Sequence, residues 1–155
     1  MATIELSIGI LASPAQVWAC LADIQRRPEW MSGILSFEST SESTRGVGAA
    51  FRMVSRGPFG TKVHDDLVCT EWDEEEVLAM ERRGGIKGKG SFYLVPIELG
   101  TRVRLREELR MPLGLLGEVA FRLLFRRALR RTFNQDIRKL KALVEGGQDT
   151  GGPEA

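Results

Sequence analysis

The chain opens on a strict alternation: Ile4, Leu6, Ile8 and Ile10 are separated by Glu5, Ser7 and Gly9, the two-residue period of a strand with one buried face. Ser13 then precedes Pro14, and Val17, Trp18 and Leu21 share one helical face. That pattern predicts a helix capped by Ser13 and opened by Pro14. Pro28 begins a second short helical turn, Arg27-Pro28-Glu29-Trp30-Met31. Strand patterns recur over 34–40, 49–56, 61–72, 77–83, 91–99 and 101–110, separated by Gly57-Pro58-Phe59-Gly60, the acidic turn Asp73-Glu74-Glu75-Glu76 and Gly100. In the last of these, Val103, Leu105, Glu107 and Leu109 face one way. Arg102, Arg104, Arg106, Glu108 and Arg110 face the other, which must be wet. Between Leu115 and Glu145 the residues Phe121, Phe125, Leu129, Phe133, Ile137, Leu140 and Val144 recur at steps of three and four. This is the apolar stripe of one long amphipathic helix.

One strand, two short helices, about six further strands joined as hairpins and a long final helix make an α+β fold. The final helix has to bury its stripe on the concave face of a curved antiparallel sheet of about seven strands. The segment from Ser13 to Met31, followed by the sheet and by Gly100-Thr101-Arg102-Val103, resembles the START-like, Bet v 1-like helix-grip (SRPBCC) superfamily, which includes polyketide cyclase/dehydrase-like proteins. The resemblance covers about residues 3 to 145. It implies a cavity for a hydrophobic small molecule between sheet and helix, and a place for Trp30 near the mouth of that cavity.

A length of 155 residues suits one domain. We assign 1–146 to a ligand-binding domain, with Gly146 and Gly147 stopping the helix, and 147–155 to a disordered polar tail. A 43% apolar and 28% charged composition is that of an ordinary globular chain. The net charge of +1 supplies no global attraction to nucleic acid, so no nucleic-acid partner is expected, and membrane contact would be transient and need a local patch. The N-terminus lacks the basic and apolar segments of a secretory signal, and Cys20 and Cys69 read as reduced core thiols, so a cytoplasmic location is expected. Monomer and homodimer both remain open.

The chemistry is bounded by a single histidine, His64. Neither a zinc site nor the iron site of two histidines and a carboxylate can be assembled, and there is no Gly-x-Ser-x-Gly elbow. No metal and no cofactor are expected. His64 is read as an outer-face residue beside Asp65 and Asp66, with a lone general base as the alternative. The Gly84-Gly85-Ile86-Lys87-Gly88-Lys89-Gly90 run lacks the residues of a phosphate loop and reads as a flexible hairpin. Arg122, Arg126, Arg127, Arg130, Arg131, Arg138, Lys139 and Lys141 make a basic helix face, read first as the solvated side and second as a surface for membrane or RNA.

Glu107 is the one carboxylate this reading sends into the interior. It is either an acid, base or ligand anchor, or half of an ion pair with Arg52 or Arg82. His64, Tyr93 and Arg82 complete the candidate catalytic set. Candidate ligand contacts are Trp30, Phe51, Met53, Leu78, Met80, Phe92, Leu94 and Leu105, under a lid of Phe121, Phe125, Leu129 and Phe133. The same residues describe a filled core equally well. Binding of a lipid, isoprenoid or aromatic polyketide is the leading expectation. A metal-free polyketide cyclase or dehydratase is the alternative, and a membrane- or RNA-associated protein using the basic helix face comes third.

Overall fold

Alternating residues form the strands β1 (Ala2–Ile10), β2 (Ile34–Ser39), β3 (Ala50–Arg56), β4 (Lys62–Asp73), β5 (Val77–Arg82), β6 (Lys87–Ile97) and β7 (Gly100–Arg110). The structure is a computed structural model. It describes residues 2–84, 86–111 and 113–149, apart from the side chains of Pro58, Gln148 and Asp149. The strands make one antiparallel sheet in the order β1-β7-β6-β5-β4-β3-β2. Each neighbour in that order is also a neighbour in sequence except β1, which pairs with β7 from Ala2 opposite Leu109 to Ile10 opposite Thr101.

Between β1 and β2 lie α1 (Pro14–Ala22), a 3-10 turn (Ile24–Arg26) and α2 (Arg27–Trp30). Ser13 and Gln16 close a capping box on α1: the Gln16 amide donates to Ser13 Oγ at 3.2 Å and the Ser13 amide to Gln16 Oε1 at 3.0 Å. Two of the donors orphaned at a helix start are thereby satisfied. The C-terminal helical stretch comprises α3 (Gly114–Ala120), a π-helical turn (Phe121–Phe125) and α4 (Arg126–Asp149). It runs through Gly146 and Gly147 rather than stopping there. Neither glycine takes the positive φ that a glycine helix stop uses. Residues 150–155, the rest of the expected tail, lie outside the described residues.

Phe133, Ile137, Leu140 and Val144 of α4 are buried against the sheet with Val17 and Leu21 of α1. Specific polar contacts fix the helix. Asp136 accepts from the Ser32 amide at 3.1 Å and from Ser32 Oγ at 2.9 Å, while Lys141 donates to the Gly9 carbonyl at 2.8 Å. Next to that Gly9 carbonyl, where Thr101 pairs with Ile10, Thr101 Oγ1 donates to the Ala12 carbonyl at 2.8 Å. A Cβ on Gly100 would strike the Ile10 carbonyl oxygen, so the Gly100-Thr101 pair is required where β7 passes under the turn between β1 and α1.

Two bulges decide which side chains reach the concave face. The shift between Ile34 and Ser36 in β2 lets Ile34 and Phe37 both point inward. The shift between Cys69 and Glu71 in β4 accompanies the packing of Trp72 on Trp18, edge to face, with ring centroids 5.3 Å apart.

Candidate functional site

The concave face holds a small chamber of about 30 Å³. Strands β3 to β5 supply Met53, Leu67, Leu78, Met80 and Arg82, and β6 and β7 supply Gly90, Phe92 and Glu107. Arg27 and Met31 close it from α2 and the residue after it, and Ile34 and Phe37 from β2. The roof is therefore α2 and β2, and no described residue of the C-terminal helix lines the chamber.

Charge is concentrated at one end. Glu107 is 4% exposed and Arg27 6%. The Arg27 guanidinium lies over the rings of Trp30, at 5.3 Å, and Phe92, at 5.0 Å. The two aromatic faces thus hold a cation in a site without bulk water. Arg82 reaches Asp65 at 3.6 Å, and the Asp65 side chain is almost completely buried. Arg82 also lines an outer cleft with Arg83, Lys87, Lys89 and Arg110, so its side chain stands between the chamber and solvent.

Burial pushes the Glu107 carboxyl above its ordinary value, against the pull of Arg82 and then Arg27. Burial likewise pulls the Arg27 guanidinium down to about 10, opposed chiefly by Glu107. Among the described residues Glu107 Oε2 is buried and has no hydrogen-bond partner, and Asp65 Oδ1 is in the same condition. Gly90 and Gly84 make room for these carboxylates: a Cβ on Gly90 would sit 2.6 Å from Glu107 Oε1, and one on Gly84 would strike Asp65 Oδ1. The glycine-rich run is thus not a flexible hairpin throughout, since Gly88 and Gly90 belong to β6 and permit close approach.

The candidate residues divide by position. Met53, Leu78, Met80, Phe92, Glu107 and Arg82 come together around the chamber. Phe51, Leu94, Leu105, Phe121 and Phe133 are buried outside its lining, and Leu129 is half-buried. Trp30 is 1% exposed and packs edge to face on Phe92 at 5.8 Å, so it lies in the core rather than at a mouth. Phe125 is exposed. An i→i+5 turn holds more residues than the 3.6 of an α-turn, so the four-residue step from Phe121 no longer returns to the buried face. His64 is exposed on β4, and Tyr93 is on the outer face of β6 beneath Arg104. Arg52 pairs with Asp66 at 3.2 Å on the outer face, so Arg82 and Arg27 are the cations near Glu107.

Glu107 is not the only interior carboxylate, because Asp65 and Asp136 are buried too. Asp65 shares strand parity with Leu67 and Cys69, and Asp136 lies on the Phe133–Leu140 stripe. Both signals stand in the sequence. Arg27 has none, since a four-residue helix offers no period to read. Among the described residues, no group of three or more His, Cys, Asp or Glu side chains is arranged to hold a metal ion. No helix among them is long and apolar enough to cross a membrane.

Residues 1–145 match the family model described as polyketide cyclase/dehydrase and lipid transport. The chain belongs to that family. A relative within reach of sequence comparison is an uncharacterized protein of Mycobacterium tuberculosis, 29% identical over 126 residues, which are 79% of this chain and 87% of the relative. A protein from Thermus thermophilus superposes with a TM-score of 0.78 at 20% identity over 94% of this chain and 99% of its own. The Zhui aromatase/cyclase from Streptomyces sp. R1128 does so with a TM-score of 0.75 at 14% identity over 93% of each chain. At these identities the two solved structures bear on the fold, an α+β helix-grip, which this polyketide cyclase/dehydrase-family chain has over nearly its whole length.

The raised Glu107 carboxyl gives a pH prediction. Between the ordinary value of 4.5 and its higher folded value, the native state keeps a proton that the unfolded chain has lost. Stability therefore falls as pH rises through that window. Asp136 is shifted the same way, so the readout is the stability of the parent minus that of Glu107→Gln. The difference should decline with rising pH across the window in denaturant titrations and then level off. A difference independent of pH would show that Glu107 titrates as it does in the unfolded chain.

Proposed function

We propose that the chamber receives a small molecule with an apolar body and a hydrogen-bonding head, held for carriage or presentation. The observation that carries this reading is Glu107 Oε2: it is buried and without a hydrogen-bond partner among the described residues, and Glu107 lines the chamber with Met53, Leu78, Met80 and Phe92. A buried acceptor left unpaired costs about 1–3 kcal/mol, and a donor on a ligand head would remove that cost. A hydrophobic ligand is in keeping with the family, whose description names cyclase/dehydrase activity and lipid transport.

The chamber is about tenfold smaller than the roughly 300 Å³ of the smallest usual ligand pockets. A ligand of ordinary size therefore has to enlarge the chamber as it enters. Met31, Met53 and Met80 line it, and their unbranched side chains change rotamer with little strain, so the wall can yield to a ligand of irregular shape.

Native mass spectrometry of protein from its own host should show a retained lipophilic compound. Retention should fall at least about tenfold in Glu107→Gln if the carboxylate anchors the head through a charge-assisted bond. An empty parent protein that also ignores lipophilic fluorescent probes would overturn the reading.

The flanking cations favour one second reading. A carboxyl with a raised pKa beside two guanidiniums can move a proton next to a carbonyl while Arg27 and Arg82 stabilise the developing oxyanion. In a cyclase or dehydrase of this kind Glu107→Gln abolishes turnover and leaves binding nearly unchanged, whereas the carrier reading has it weaken binding.

A further inference from the structure

The start of the C-terminal helical stretch leaves its hydrophobic residues in water. Leu115 is 77% exposed, Leu116 80%, Leu123 78% and Leu124 71%, with Leu113 and Phe125 also exposed. Phe121 is the one buried residue described between Leu113 and Phe125. A contiguous apolar surface on a folded domain marks a contact with something else. What surrounds this one is basic. Arg122, Arg126, Arg127, Arg130 and Arg131 are all exposed, against one acidic residue, Glu118, between Leu113 and Gln135. None of these arginines is paired with a carboxylate among the described residues.

We propose that the segment from Leu113 to Arg131 docks on the surface of an anionic lipid bilayer, with the leucines of α3 and of the π turn entering the boundary between headgroups and acyl chains and the arginines meeting lipid phosphates. The partner follows from charge complementarity. A neutral apolar protein groove would leave five guanidiniums unpaired, and a polyanion such as RNA would leave the leucines in water. An anionic bilayer, charged at its face and apolar just below, satisfies both sets. The π turn sits inside this patch, and such turns recur at functional sites in helices. The docking does not depend on what occupies the chamber.

The experiment is flotation of the full chain with vesicles of phosphatidylcholine alone and of phosphatidylcholine with phosphatidylglycerol, at low and high salt. The solution mass is determined by light scattering. The parent should float with the anionic vesicles and much less with the neutral ones. The pair Leu123→Gln and Leu124→Gln should weaken binding at least about tenfold. The pair Arg126→Glu and Arg127→Glu should weaken it at least about 30-fold. All four side chains are exposed, so both double variants should melt with the parent, which separates lost docking from lost folding. Absence of flotation overturns the proposal. Binding that needs the arginines but is indifferent to the leucines overturns it in favour of a polyanion. A dimer that the leucine pair converts to monomer, without flotation, overturns it in favour of a second copy of the chain.

Discussion

Replacing Arg27 with methionine is expected to lower the unfolding free energy by about 1–3 kcal/mol and the melting midpoint by roughly 5 °C. Methionine keeps an apolar side chain against the rings of Trp30 and Phe92 but removes the charge that acts on Glu107. Glu107 is then left buried with only Arg82 to offset its desolvation, and Arg82 is already engaged by Asp65. The diagnostic result is non-additivity. Glu107→Gln made in the Arg27→Met background should recover part of the loss, giving a coupling of at least about 1 kcal/mol in a double-mutant cycle followed by urea denaturation. If the two losses simply add, the guanidinium and the carboxylate do not stabilise one another, and the cluster is two separate buried charges.

The second large effect belongs to the chamber wall. Leu78 is fully buried and lines the chamber, so Leu78→Ala should cost about 2–5 kcal/mol through lost burial and the void left behind. That void is continuous with the existing space and should admit a small apolar compound. A compound that binds only the folded state raises stability by about 2.7 kcal/mol at a hundred times its Kd. Thermal melts should therefore show Leu78→Ala falling below the parent and then recovering more than the parent does when the compound is added. A variant that loses stability but ignores the compound would mark the chamber as a packing defect and not as binding space.

The fold is legible in the sequence because its signals are long and regular. An unbroken two-residue period over β7 turns Glu107 inward with Val103, Leu105 and Leu109, and the stripe from Phe133 to Val144 finds the sheet. Where the chain departs from a regular period, the site is hidden. The bulges in β2 and β4 change which residues face inward, so no simple alternation marks Ile34 and Phe37 as chamber walls. The π turn breaks the step from Phe121 to Phe125. Gly88 and Gly90 carry the composition of a turn but serve close approach inside a strand, a role that emerges only once Glu107 and Glu108 are in place across from them. Arg27 sits in a helix too short for any pattern, and a basic residue beside Pro28 reads as surface until the two aromatic rings are placed around it.

The pairing of β1 with β7 also governs how the chain comes off the ribosome. The hairpins from β2 to β7 can form in order as they emerge, but Ala2 finds its partner only when Leu109 has been made. At roughly 5–20 residues per second that leaves the first strand waiting for at least about 5–20 s. Its alternating isoleucines are exposed throughout that interval, and closing so distant a contact is slow in folding. Refolding of the intact chain should accordingly be limited by arrival of the N-terminal strand, and a chaperone that engages nascent chains has its natural target in the segment from Ile4 to Ile10.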